Sequence, residues 1–263
     1  MKLHSPLHSS KNLDSISSAP NKALPGKSWI NCKITGVGAC AGKNLLPNSD
    51  YETLVETSDA WIAKRTGIRN RHLIAPGSNL RDLAITSAKA ALESAGVAAT
   101  DIDLLLVATS SPDDLFGDAP SVAFAIGAVN AAAFDVTAAC SGFVIGLVTA
   151  SQFVQSGAYK KVLVIGADAL TRFVDWKDRG TCILFGDGAG AVVLERSESA
   201  LDSGLLGFAL HSDGEGYKNL NMKFNQDFKE LDNLQKTIVD QGSYGKMQMN
   251  GAEVYKFAVN KVR

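Results

Sequence analysis

The chain has 263 residues, 46% of them hydrophobic and 20% charged, with a formal net charge of -1. That length and apolar content suffice for a substantial core in one large domain or two small ones. The balanced charge excludes a strong field for nucleic acid or an anionic membrane, and no apolar run approaches the ~20 residues that span a bilayer.

Residues 1–28, "MKLHSPLHSSKNLDSISSAPNKALPGKS", stand apart from the rest. They are rich in Ser, Lys and Pro, hold Asp14 as their one acid, and show no apolar period. A secretory signal needs an apolar centre, which this stretch lacks. A plastid transit peptide fits the Ser-rich, acid-poor composition, and so does a disordered tail.

From Lys33 the pattern becomes globular. "KITGVGA" reads as a first strand. "DYETLVETSDAWIAKRTGI" reads as two short helical pieces, with Asp50 and Ser58 as N-caps. "NLRDLAITSAKAALESAGV" is an amphipathic helix with Leu80, Leu83, Ala84, Ser87, Ala88, Ala91 and Ala95 on one face, ended by Gly96. "IDLLLVAT" is a continuous apolar strand, the pattern of a strand covered on both faces. "PSVAFAIGAV" reads as a short helix and "AAFDVT" as a strand. "CSGFVIGLVTASQFVQSG" reads as a helix closed by Gly157, apolar nearly all round and therefore suited to the space between layers. "KKVLVIGAD" is another buried strand, and "GTCILFGDGAGAVVLER" reads as two strands joined at a Gly-rich turn. After about Glu198 the sequence turns polar and irregular. "NGAEVYKFAVNKVR" recovers a helical pattern, with Asn250 and Glu253 as a capping-box-like start and Val254, Phe257, Ala258 and Val262 as its stripe. Alternating strands and helices predict an α/β layered fold with a largely parallel sheet.

Two Gly-rich stretches imitate nucleotide sites. "GVGACA", residues 36–41, follows a strand as a dinucleotide fingerprint does, but "GKNLLPNSD" starts no helix to receive a pyrophosphate. "FGDGAGA", residues 185–191, lacks the P-loop lysine and leads into a strand, so a tight hairpin is the favoured reading. The four cysteines, Cys32, Cys40, Cys140 and Cys182, form no CxxC pair and have no nearby histidine, which argues against zinc and for free thiols. Cys32, Cys40 and Cys182 read as small buried hydrophobes.

Cys140 differs, because it sits where a strand gives way to a helix. A sulfur at the first turn of a helix faces unpaired N–H groups and the positive end of the dipole, which stabilise negative charge. The same N–H groups can hold the oxyanion formed when a thiolate attacks a thioester. Ala138, Ala139, Ser141 and Gly142 leave room for an acyl group. On this pattern alone a nucleophile and a buried structural cysteine remain equally open.

"FDVTAACSGF", together with "TSDAWIAKRTGIRNRH", "DRGTCILFGDGAGAVVL" and "HSDGEG", closely resembles the β-ketoacyl-[acyl-carrier-protein] synthase III family. "SPDDLFGDAPS" and "RFVDWKDRGTCILFGDGAGAVVL" look most like its cyanobacterial and plastid branch. The resemblance spans about residues 33–263 and implies a thiolase-like fold, with mixed sheets around a buried helix. It divides the chain into a tail or transit peptide at 1–28, an N-terminal thiolase-like half at 29–200, and the start of a C-terminal half at 201–263. It implies an initiating condensing enzyme of type II fatty acid synthesis, homodimeric, needing no cofactor and no metal. Cys140 would take an acetyl group from acetyl-CoA, and the acyl-enzyme would condense with malonyl-acyl carrier protein. No nucleic acid or membrane partner is implied. The compartment would be the plastid stroma or a cyanobacterial cytoplasm.

The resemblance also assigns other positions. Trp61 and Arg179 match the pair that sandwiches the adenine of CoA, a task suited to indole and guanidinium planes. For Trp61 a place in the helix-face core is the competing reading. Arg65 and Thr57 match positions near the CoA phosphate and pantetheine, and Gly251 matches one lining the CoA channel. Phe116 matches the aromatic that closes the partner's acyl pocket, and Phe185 a residue beside the nucleophile. Lys256 lies where the family meets the acidic carrier protein, and it equally suits a solvated helix face.

The family also uses a histidine and an asparagine, in His-Gln-Ala-Asn and Gly-Asn-Thr-Ser motifs, and a late glycine-rich loop. Those motifs are expected beyond Arg263, and none of His4, His8, His72 and His211 matches the catalytic histidine. The resemblance therefore implies an incomplete active site in a C-terminally truncated chain. A non-catalytic subunit or CoA-binding interaction module is the alternative. Another thiolase-fold enzyme, such as a polyketide synthase, fits the motifs less well.

Overall fold

A computed structural model describes residues 31–197, 204–205, 207–231 and 237–261. The tail expected at 1–28 and Val262 of the last stripe lie outside the described residues.

The centre is a five-stranded sheet among the described residues. Its strands are β1 (Asn31–Ala41), β4 (Leu104–Ala108), β5 (Ala132–Val136), β6 (Lys161–Ala169) and β7 (Asp187–Ser197), in the order β1-β7-β6-β4-β5. β4 pairs in parallel with β5 and β6, whereas β7 is antiparallel to β1 and β6. The sheet is thus mixed, and the expectation of a largely parallel one holds for its β6-β4-β5 side only. A separate two-stranded sheet pairs β2 (Asn44–Pro47) antiparallel with β3 (Asn70–Leu73). Between them lie α1 (Asn48–Tyr51) and α2 (Asp59–Thr66).

Every residue of β4 is buried, because both faces of the sheet are covered. Leu105 and Val107 face α3 (Leu80–Ala95) and α4 (Ala119–Ile126), with Leu163, Ile165, Ala191 and Val193 beside them. Leu104 and Leu106 face α5 (Gly142–Gln155) through Ala150 and Val154. The period of two along each strand assigns alternate side chains to the two layers.

α3 follows its sequence closely. Asn79 and Asp82 form a reciprocal capping box, Gly96 ends the helix at φ 65°, and the buried face is the one the spacing predicts. Ser58 caps α2 by accepting from the Trp61 N–H at 3.2 Å. Asp50 is not a cap: α1 starts at Asn48 behind Pro47, which puts Asp50 inside the first turn. α5 ends as expected, with Gly157 at φ 80° donating its N–H to Val154 O.

Two expectations fail. "GTCILF" is not a strand: Arg179–Cys182 form the short helix α6, capped by Asp178, and "DGAGA" from Asp187 opens β7 rather than forming a turn. The glycines serve close approach, as β1 shows. A Cβ on Gly36 or Gly38 would collide with the backbone of α3 at Ala91 and Ser87. The second failure concerns α5, which is covered on one side only among the described residues. Val144 on its far face is 53% exposed.

Beyond β7 the described chain forms small antiparallel ribbons. β8 (Leu220–Asn221), β9 (Phe224–Asn225) and β10 (Phe228–Glu230) pair with β13 (Gln248–Met249), β12 (Ser243–Tyr244) and β11 (Ile238–Asp240) respectively. The closing helix is α7 (Gly251–Lys261), where the Glu253 N–H reaches Asn250 Oδ1 at 3.4 Å. No described helix is long and apolar enough to cross a membrane.

Candidate active site

The parallel strands β4, β5 and β6 end on the same edge of the sheet, and the residues just beyond those ends build the site. After β5 the chain makes one 3-10 turn, Ala139–Ser141, before α5 begins. Ala139 has φ 47°, the one positive value outside glycine among the described residues. Such a conformation strains a side-chain-bearing residue. Here it lifts Cys140 out of the strand and holds it exposed at the head of α5. The exposure removes the reading of Cys140 as a buried structural cysteine. Cys32 and Cys182 are buried, as expected, and Cys40 is half-buried.

Cys140 opens onto a concavity of about 560 Å³. Phe143, Ala108, Gly166, Asp168, Gly186 and Gly188 are among the residues lining it. The glycines keep it open: a Cβ on Gly166 would stand 3.1 Å from the Phe143 ring. The Ser141 N–H donates to Ala138 O at 3.1 Å and the Gly142 N–H to Ala139 O, which closes the turn that carries the thiol at the head of α5. An exposed sulfur at a helix start, over an apolar hollow, suits acyl transfer through a thioester.

Asp168, which sequence reasoning passed over, braces this edge. Its Oδ1 accepts from the Ser110 N–H and the Ser111 hydroxyl, each at 2.9 Å, and Ser111 Oγ in turn accepts from the Ala169 N–H. The signal was present: an acid ends the apolar run "VLVIGAD", where a buried strand has no need of one. Asp187 does the same between the turns at Ile74 and Thr171.

A second group gathers on α2 and α6. The guanidiniums of Arg65 and Arg179 lie over the Trp61 ring, at 4.1 Å and 4.9 Å from its centroid. Arg179 also donates to Glu56 O at 2.8 Å. A flat base between two planes needs roughly 7 Å, two van der Waals contacts of about 3.5 Å. The Trp61–Arg179 slot is therefore closed, and Arg179 must swing aside to admit one. Beside it, Thr57 Oγ1 is buried with no partner among the described residues. A polar hollow of about 400 Å³ adjoins α6, with Asp175, Asp178, Lys223 and Lys246 on its walls.

The remaining sequence-derived positions are dispersed. Phe185 packs into the cluster of Tyr51, Ile62, Val174 and Cys182, and it is the neighbouring Gly186 that borders the Cys140 hollow. Phe116 stands 98% exposed on the loop after β4. Gly251 and Lys256 are exposed on α7, and Lys256 is paired with Glu253 at 2.7 Å. His72 binds Gly42 O through Nδ1, and His211 is exposed. Neither borders the hollow at Cys140.

The loop that carries Phe116 is anchored by charge. Burial pushes the Asp113 carboxyl up, but the Arg81 N–H, the Arg172 guanidinium at 2.6 Å and the Leu80 N–H outweigh it and hold it below the usual carboxylate range. Asp118 is shifted the other way, first by burial and then by the charges of Asp113 and Asp135.

A cysteine on a strained strand-to-helix turn, within a mixed sheet layered by helices, defines a thiolase-like acyltransferase. Known proteins give the family. Residues 134–214 match the model for 3-Oxoacyl-[acyl-carrier-protein (ACP)] synthase III. The chain is 53% identical over 229 residues to the β-ketoacyl-[acyl-carrier-protein] synthase III of Acaryochloris marina, covering 87% of this chain and 68% of that protein. It is 48% identical over 261 residues to the chloroplastic enzyme of Arabidopsis thaliana, covering 97% and 64%. The crystal structure of 3-oxoacyl-(acyl carrier protein) synthase III from Pseudomonas aeruginosa superposes with a TM-score of 0.75 at 36% identity, covering 88% of this chain and 67% of that one. The chain belongs to the β-ketoacyl-[acyl-carrier-protein] synthase III family, the condensing enzymes that initiate fatty acid synthesis.

Proposed function

We propose that Cys140 is the nucleophile that carries the acyl group. Its sulfur attacks the thioester carbon of acetyl-CoA, and the carbon–sulfur bond to CoA breaks to leave acetyl-Cys140 and free CoA. Malonyl-acyl carrier protein then loses CO2, and its carbanion attacks the acetyl carbon. The product is acetoacetyl-acyl carrier protein, with the Cys140 thiolate restored. No cofactor or metal takes part. The observation that carries this reading is the strained turn at Ala139, which holds an exposed thiol over an apolar hollow at a helix start.

Coenzyme A would lie with its base between Trp61 and a displaced Arg179, and with Arg65, Thr57 and Gly251 along its phosphate and pantetheine. The orphaned Thr57 hydroxyl supports that path. Phe185 and the partner's copy of Phe116 would shape the acyl pocket, the latter because an aromatic side chain so exposed needs a covering surface. That arrangement requires a homodimer, and the edge at β5, unpaired among the described residues, supports one. Lys256 would meet the acidic carrier protein. The chloroplastic relative and the composition of residues 1–28 support a plastid location.

Intact-mass measurement after incubation with acetyl-CoA tests the central claim. The chain is expected to gain one acetyl group, located to Cys140 by peptide mapping, and Cys140→Ala is expected to gain none. Acetylation of the Cys140→Ala variant to the same extent would overturn the assignment.

A further inference from the structure

Arg71 is a buried cation without a counter-ion. It lies on β3, is 3% exposed, and meets no carboxylate among the described residues. Leaving a guanidinium uncompensated in the interior is costly unless its donors are met and its position is needed. Its donors are met by two groups far apart in sequence. Nε, at 2.8 Å, and Nη2 both donate to Ile183 O, while Nη1 donates to Asn48 Oδ1. The guanidinium plane lies 4.5 Å over the Tyr51 ring.

These two acceptors belong to opposite walls of the base slot. Ile183 directly follows α6, which carries Arg179. Asn48 is buried, and its Nδ2 donates to Asp59 Oδ1 at 2.8 Å. Asp59 is the first residue of α2, which carries Trp61 and Arg65. A continuous line of hydrogen bonds therefore runs from α2 through Asp59, Asn48 and Arg71 to the end of α6. The direct link across the slot, from Arg179 to Glu56 O, is lost when Arg179 swings aside for a base. The Arg71 line is not.

We propose that Arg71 is a positioning residue for the nucleotide end of coenzyme A, tying α2 to α6 so that the two helices keep their spacing when Arg179 swings aside and the slot opens. This rests on the reading of Trp61 and Arg179 as the base clamp. A guanidinium is required because one planar fork must serve Ile183 and Asn48 together, which an ammonium cannot do. The line spares the acylation chemistry, since none of its members borders Cys140.

The test is the concentration dependence of Cys140 acetylation, read by mass, with acetyl-CoA and with acetyl-pantetheine, which lacks the nucleotide. Arg71→Met is expected to raise half-saturation by acetyl-CoA about tenfold, to leave acetyl-pantetheine unchanged, and to hold the maximal rate. Arg71→Lys should recover only part of the loss. Asp59→Ala cuts the line at its half-buried end, outside the buried core, and should raise acetyl-CoA half-saturation about threefold. It decides the matter if Arg71→Met does not fold. Trp61→Ala separates the two readings. If it weakens acetyl-CoA but the Arg71 and Asp59 variants do not, the positioning role is wrong and the clamp stands. If Trp61→Ala leaves acetyl-CoA unchanged, clamp and positioning role fall together. Equal losses with acetyl-CoA and acetyl-pantetheine would mark Arg71 as structural and overturn the proposal.

Discussion

Beneath Arg71 lies Tyr51, a residue whose ring is needed and whose hydroxyl is not. The ring is fully buried, stacks on Trp176 at 6.3 Å and carries the Arg71 guanidinium. The hydroxyl has no partner among the described residues. Burial pushes its pKa up to about 12, against the lowering effect of Arg71. A folded pKa above the unfolded value of roughly 10 means that the neutral phenol is favoured by folding. That contribution is complete below the unfolded pKa and is lost as pH rises through about 12. Tyr51→Phe keeps the ring and removes an unsatisfied polar group, so it should be neutral or stabilising by up to about 1 kcal/mol. It should also flatten the loss of stability between about pH 10 and 12. Urea unfolding across that range checks both, and a clear destabilisation at neutral pH would mean that the hydroxyl is hydrogen-bonded.

At the scale of elements, glycine placement decides how closely helix and sheet can approach. Gly36 and Gly38 on β1 let the backbone of α3 rest directly on the strand. Gly190 on β7 has its nearest neighbour at 4.0 Å, because it faces the hollow above Cys140 rather than a helix. The two sites should answer differently to one methyl group. Gly38→Ala forces α3 away from the sheet and should cost about 1–3 kcal/mol or more, the usual range for overpacking. Gly190→Ala should change stability far less while narrowing the hollow. Thermal unfolding of the pair is the measurement, and similar losses at both positions would refute the account.

At the scale of the whole molecule, the sheet ends in an open strand. Among the described residues β5 pairs with β4 alone, and around it Phe124, Val129, Leu115 and Phe116 are exposed. An unpaired edge beside exposed apolar side chains is a site for association. The chain should therefore self-associate in solution, and Phe124→Asp combined with Val129→Lys should weaken that association without lowering helix content. Sedimentation velocity across a concentration series reads the first, and circular dichroism the second. Unchanged association in the double variant would move the interface elsewhere.

Local pattern carried a good deal of this. The Gly96 end of α3, the two buried faces of β4 and the place of Cys140 at a strand-to-helix change all depend on residues within a few positions of one another, which is the range over which periodicity and capping act. The family was legible too, because its motifs are long and contiguous. The tertiary structure decided the rest. "GTCILF" reads as a strand by composition, yet Asp178 caps it into a helical turn that feeds the buried cluster around Cys182. The glycines of "DGAGA" read as a turn because flexibility is their local meaning, whereas inside a sheet they mean a close neighbour or an open hollow. Arg71 and Asp168 gave no local sign of their partners, since those lie 112 and about 58 positions away. A side chain's burial and hydrogen bonds depend on which distant segments the sheet brings beside it, and no period along the chain encodes that.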